Sequence, residues 1–177
     1  MTHVALLRGI NVGGKNPLPM QDLARMFVGA GCQKVRTYIQ SGNVIFDAPA
    51  GVAKLADVVS ANIEKRFGYR IPVILRTSQQ VRRIIGANPF LKTAGDAKAL
   101  HVYFLAQTPE ARAIADLDPA RSAPDTFHVL GQEIFLHLPN GMGRSKLTNA
   151  YFDAKLSTVS TARNWATVLK LAEMMQA

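Results

Sequence analysis

Apolar and polar positions follow two rhythms along this chain, one of period two and one of period 3.6, and their order is the first guide to its fold. A nearly continuous apolar run from His3 to Arg8 suits a central strand buried on both faces. After a Gly/Asn/Pro-rich loop reaching Pro19, Met20, Leu23, Phe27 and Ala30 recur at helical spacing, and Gly31 supplies the stop. From Lys34 to Gln40 the pattern alternates, with Val35, Thr37 and Ile39 on one face and Arg36, Tyr38 and Gln40 on the other, as in a half-exposed strand. Ser41-Gly42 reads as a tight hairpin turn into a partner strand from Asn43 to Phe46. Val52, Leu55, Val59, Ile63 and Phe67 draw an amphipathic helix, and Ile71 to Arg76 forms a further strand whose Pro72 favours a sheet edge.

That order, β-α-β-β-α-β, is the ferredoxin-like plan of a four-stranded antiparallel sheet with two helices on one face. The second half repeats it in part. A short helix starts at Ser78 and ends before Asn88-Pro89, Leu100 to Leu105 is a strand, and Thr108-Pro109-Glu110 opens a helix. Phe127 to Leu138 is a hairpin turning at Gly131. Two helices close the chain, one near Lys146 to Leu156 and one from about Thr161, with Trp165, Val168, Leu169, Ala172 and Met175 on its apolar face. The expected class is therefore α+β, with two ferredoxin-like (α/β-plait) subdomains, antiparallel sheets and C-terminal helices. Residues 1–92 form one lobe and 93–177 the other. No repeat is visible in the sequence itself, so any duplication is one of architecture.

Charge changes the picture more than composition does. Up to Lys92 there are 13 Lys/Arg against 4 Asp/Glu, and from Thr93 onward 8 against 8, so the whole net charge of +9 belongs to the first lobe. A basic lobe beside a neutral one attracts nucleotides, nucleic acid and other polyanions. The apolar runs fall far short of the roughly 20 residues of a membrane span, which sets membrane partners aside and leaves a cytoplasmic address as the default. The lone Cys32 reads as a small buried hydrophobe. His3, His101, His128 and His137 fall on expected strands without metal-ligand spacing, and no cofactor is implied.

Two glycine-rich stretches carry the candidate chemistry. Arg8-Gly9-Ile10-Asn11-Val12-Gly13-Gly14-Lys15 lies between a strand and a helix, the position of a phosphate-binding loop, although it matches neither the Walker A nor the dinucleotide fingerprint. Glycines let backbone N–H groups converge on an anion, and Arg8 and Lys15 supply cations. Tyr38, Gln40, Ser41 and Asn43 lie nearby on the strand and hairpin. In Gly141-Met142-Gly143-Arg144-Ser145-Lys146, Ser145 is placed to cap the following helix, leaving Arg144 and Lys146 to face a ligand. Thr161 is placed to cap the last helix, which puts Arg163 and Asn164 in its first turn, a site unfavourable for an arginine unless a bound anion or a carboxylate such as Asp153 neutralises it. The ligand-binding set is thus Arg8, Asn11, Gly13, Gly14, Lys15, Tyr38, Gln40, Ser41, Asn43, Arg144, Lys146, Asn149, Arg163 and Asn164, gathered around one anion between the lobes. No catalytic residue stands out: there are no paired carboxylates near the loops and no Gly-x-Ser-x-Gly elbow.

Four segments, Leu7 to Gly14, Tyr38 to Val44, Ser145 to Asn149 and Thr161 to Val168, resemble in order and spacing the signatures of the bacterial domain-of-unknown-function family numbered 1697. Ala162 departs from that pattern, where a second Thr is expected. The resemblance implies a cytoplasmic protein of two α/β-plait subdomains, and it implies no activity, ligand or catalytic residue. Three functions stay open on the sequence. The leading one is a protein binding a phosphate-bearing ligand, a nucleotide or nucleic-acid backbone, in a basic cleft between the lobes. The others are a metal-independent enzyme acting on a phosphorylated or nucleotide substrate, and a structural or partner-binding protein without a ligand.

Overall fold

The computed structural model describes residues 1–48 and 51–176. The chain divides into two compact units, Met1–Arg82 together with Leu171–Ala177, and Arg83–Lys170. The first is built from β1 (Thr2–Leu7), α1 (Met20–Gly29), β2 (Gln33–Tyr38), β3 (Asn43–Asp47), α2 (Leu55–Phe67) and β4 (Val73–Thr77). Its antiparallel sheet has the order β2-β3-β1-β4. The continuous apolar run does become a central strand, and Pro72 precedes an edge strand, where its missing N–H costs no ladder bond. One face of the sheet, with Ala5, Leu7, Val44 and Phe46, packs with Leu23, Phe27, Val59 and Ile63 of the helices. On the other face Val4, Leu6, Ile45, Ile74 and Arg76 are buried as well.

The alternation expected through Gln40 stops earlier. A register shift separates Gln33 from Arg36, Lys34 takes a φ of 49°, and the strand ends at Tyr38. Tyr38 pairs with Asn43, so residues 39 to 42 form a four-residue connection rather than a two-residue turn.

The second unit contains β5 (Leu100–Leu105), α4 (Ala111–Ala115), β6 (Thr126–Leu130), β7 (Glu133–His137), α5 (Asn149–Leu156) and β8 (Ser160–Asn164), with sheet order β6-β7-β5-β8. This is the complete plan, not part of it. The expected helix start at Thr161 is corrected: Ser160–Asn164 is the fourth strand, paired with β5 from Leu105↔Ser160 to His101↔Asn164. Helix α5, expected near Lys146, begins at Asn149, where Thr148 rather than Ser145 is the cap: its Oγ1 accepts from the Tyr151 N–H. Its core joins Tyr103, Leu105, Ile134 and Leu136 of the sheet to Tyr151 and Phe152.

Two more helices lie outside these plans, α3 (Ser78–Ala87) and α6 (Trp165–Met174), and the division between units passes through both. The boundary expected at 92 and 93 thus falls at Arg82 and Arg83, and the last seven residues return to the first unit. There Arg36 Nη2 donates to the Met174 carbonyl at 2.6 Å, fixing the end of α6 against β2. Helix α3 opens with a capping box in which Thr77 Oγ1 accepts from the Gln80 N–H while Gln80 Oε1 accepts from the Thr77 N–H. No described helix is long and apolar enough to cross a membrane.

Candidate functional site

The loop after β1 is pinned at both shoulders and open at its tip. Ile10 and Leu18 are buried in the core of the first unit, whereas Val12, Gly13, Gly14 and Lys15 are exposed. Gly13 and Gly14 have φ of 57° and 73°, both in the left-handed region, and the Lys15 N–H donates to the Val12 carbonyl. This is the pattern of a type I′ turn, which glycine adopts without strain. A Cβ on either glycine would meet nothing within 4 Å, so the turn stands clear of the rest of the unit. Among the described residues the N–H groups of Gly13 and Gly14 donate to nothing, and the Lys15 ammonium has no ion-pair partner.

Asn11 holds this loop in place. Its Oδ1 accepts from the Leu18 N–H at 2.8 Å, and its Nδ2 donates to the Leu18 carbonyl at 2.8 Å and to the Gln40 carbonyl at 2.9 Å. Asn16 adds a bond from Nδ2 to the Gly9 carbonyl, and the Tyr69 hydroxyl donates to the Pro17 carbonyl. The bond to Gln40 ties the loop to the 39–42 connection. Asn43 is fully buried, its Nδ2 donating to the Tyr38 carbonyl and to Ser41 Oγ. Both asparagine amides are committed to the protein, so these residues shape the loop and connection from within. Gly42 is the tightest point: at φ 85° a Cβ there would lie 2.8 Å from Leu7 Cβ and 2.9 Å from Ile10 Cδ1. Arg8 and Tyr38 are half-buried, Ser41 is half-buried, and Gln40 is exposed.

The sequence-expected residues of the second unit occupy two places. Arg144 lies in a short 3-10 turn, Met142–Arg144, and is exposed, as is Lys146. The segment is held through its backbone, the Lys146 N–H donating to Ser122 Oγ and its carbonyl accepting from Arg121 Nε. Asn149 donates to Ser160 Oγ, which donates in turn to Asp153 Oδ1 at 2.6 Å. Arg163 is corrected most: it sits on β8, 7% exposed, with Nη1 donating to Thr161 Oγ1 and to the Ala162 carbonyl. Burial pushes its guanidinium down to about 10, so it remains a cation at neutral pH. Asn164 rather than Thr161 caps α6, its Oδ1 accepting from the Thr167 N–H.

Beside that cap the second unit has a cleft of about 250 Å³ lined by His101, Asn164, Trp165 and Leu169 among others. His101 Nδ1 is buried there with no hydrogen-bond partner. Burial holds the imidazole below its ordinary value, and the nearby Ala99 carbonyl opposes this only in part. Sequence reasoning passed over His101 because a lone histidine on an apolar strand carries no spacing signal.

Comparison with known proteins relates the chain to others. The conserved bacterial protein SP0830 from Streptococcus pneumoniae has a similar solved structure, with a TM-score of 0.74 at 22% identity over 98% of each chain, a likeness of fold. No curated protein matches the chain. The family described as "Protein of unknown function (DUF1697)" matches residues 1–135, a stretch that includes the first unit's loop and hairpin and most of the second sheet, and the chain belongs to that family.

Proposed function

We propose that this protein binds a phosphate-bearing ligand, and that the loop of the first unit is where the phosphate sits. The observation that carries this reading is the exposed Gly13-Gly14 turn, whose two N–H groups are unspent and whose neighbour Lys15 is an unpaired cation on a braced loop. Backbone N–H groups beside an ammonium are suited to an oxyanion, and their fixed geometry lowers the ordering cost of binding. The field of the unit points the same way. It carries eleven Lys/Arg against five Asp/Glu, and the second unit ten against seven. Asp22, Asp47 and Glu64 of the first unit are already paired with its own Arg25, Arg66, Lys34 and Arg70, which leaves Lys15 uncompensated.

A filter-binding titration of the full chain with a short single-stranded DNA at several salt concentrations tests this. Binding is expected to weaken steeply with salt, and Lys15→Ala to reduce the slope of log affinity against log salt by about 0.7, the share of one phosphate contact. Binding that ignores salt, or that Lys15→Ala leaves untouched, removes the loop from the ligand.

A further inference from the structure

Two exposed aliphatic side chains beside this turn have no explanation in the fold. Val12, at the first position of the turn, is 60% exposed, and Ile39, at the start of the 39–42 connection, is 50% exposed. The Asn11 to Gln40 hydrogen bond joins the residue before Val12 to the residue after Ile39, so the backbone segments that carry the two side chains are tied together. Ile39 is also the costliest residue for its backbone. Its φ of 47° lies in the left-handed region, where a β-branched side chain crowds its own main chain. Among the described residues the other non-glycine ones with positive φ are Asn11, Asn16, Lys34 and Ser157, none of them β-branched. Asparagine would satisfy the same turn with less strain, as it does twice in the adjacent loop. Folding alone gives no reason for an isoleucine held there and turned to solvent.

We infer that Val12 and Ile39 form an apolar grip for the base or sugar of a nucleotide whose phosphate rests on Gly13, Gly14 and Lys15. The inference rests on the phosphate-binding reading above and deepens it. Inorganic phosphate or a sugar phosphate would use the turn and ignore the aliphatic pair. A nucleotide unit combines an anion with a flat, weakly polar face, and apolar side chains beside a cationic backbone site match both parts. Tyr38, half-buried at the end of β2, and the exposed Gln40 flank Ile39 in the chain and carry polar groups of the kind a base edge accepts. The shared chemistry is the nucleotide unit, supplied either as a free nucleotide or as part of a single strand.

The experiment compares wild type, Ile39→Asn and Val12→Ser as full chains, by fluorescence polarisation and competition. The probes are a single-stranded oligonucleotide, an abasic deoxyribose-phosphate strand of equal length, and AMP. Wild type is expected to prefer the base-bearing strand over the abasic one by about tenfold, and each substitution to erase most of that preference while leaving abasic binding unchanged. Ile39→Asn is further expected to keep or raise the melting temperature, since it relieves backbone strain; Val12→Ser, at an exposed position, gives the same readout should Ile39→Asn misfold. Binding of AMP that depends on Ile39 supports the proposal with a free nucleotide as ligand, and strand-only binding supports it with a polymer. Equal affinity for base-bearing and abasic strands overturns the grip and leaves the phosphate reading standing. Unchanged base preference in both variants also overturns it, as would preference for an acidic peptide over every nucleotide probe. If no anionic probe binds, both readings fall together.

Discussion

His3 and Arg76 in the first unit stand where His101 and Arg163 stand in the second. Val4 pairs with Arg76 and Val102 with Arg163, while His3 pairs with Thr77 and His101 with Asn164. Both arginines are buried, and both donate through Nη1 to the carbonyl of the preceding residue. Thr77 and Asn164 each cap the helix that follows, accepting from the N–H three residues on. The units are thus copies in their fittings as well as their topology, down to strand register. They part at one end of the sheet. The first unit has the loop from Arg8 to Pro19 and a four-residue connection over it, whereas in the second the β6–β7 turn holds only Gly131 and Gln132. The Leu7 N–H donates to the Gly42 carbonyl where the Leu105 N–H donates to that of Gln132. A position that must be glycine in one unit is an ordinary polar residue in the other, because only the first unit tucks Ile10 beneath its hairpin. What the copies share serves the fold, and what they do not share is where a function specific to one of them belongs.

The largest test of that contrast is Gly42→Ala. It combines a positive φ with a sub-contact approach to Leu7 and Ile10, and a loss of about 3 to 5 kcal/mol is expected in urea denaturation. Gly131→Ala, at φ 61° with open space around it, is expected to cost about 1 kcal/mol. Equal losses would show that the loop and hairpin of the first unit are not locked as described.

Next in size is the arginine pair. Arg163→Ala removes a buried cation together with its bonds to Thr161 Oγ1 and the Ala162 carbonyl, and about 3 kcal/mol of stability is expected to go. Arg76→Ala is expected to match it. A difference well above 1 kcal/mol between the two would break the equivalence of the units, and an Arg163→Ala variant as stable as wild type would return that residue to the ligand.

The smallest effect separates the histidines. His3 Nδ1 lies 2.9 Å from the Met1 carbonyl, whereas His101 Nδ1 has no partner. Because burial lowers the folded value of His101, the unfolded chain binds more protons below its ordinary 6.5. Its contribution is therefore intact above that pH and lost as pH falls through the folded value, at no more than about 1.4 kcal/mol per pH unit. His101→Gln is expected to flatten that part of the stability curve below pH 6.5, measured by thermal unfolding across pH.

Seven of the eight strands could be read in the chain because their apolar residues obey the period of a half-buried or buried strand. β8 could not. Ser160-Thr161-Ala162-Arg163-Asn164 has no apolar alternation, and it is a strand only because β5 is there to pair with it. The same holds at the candidate site. The glycines, Lys15 and the hairpin were visible as residue types, since turns advertise their chemistry locally. That Asn11 would reach Leu18 and Gln40, and that Asn43 would be sealed inside, depended on the path of the loop through space. Ile39 was hidden for a different reason: its place in the Val35, Thr37, Ile39 series conforms to a strand, and only coordinates show the backbone reversing there.

The contact between Arg36 and Met174 has a consequence for how the protein is made. On the ribosome, the first unit has all four strands by Thr77, but the segment from Leu171 that completes it emerges only after the whole of Arg83–Lys170 has been synthesised. At roughly 5–20 residues per second that interval is on the order of 4 to 18 s. During it Arg36 on the edge strand β2 lacks the carbonyl that it will later hold. The nascent first unit therefore spends its early life with its four strands made but Arg36 unstitched, until the segment beyond the second unit's sequence arrives to hold it.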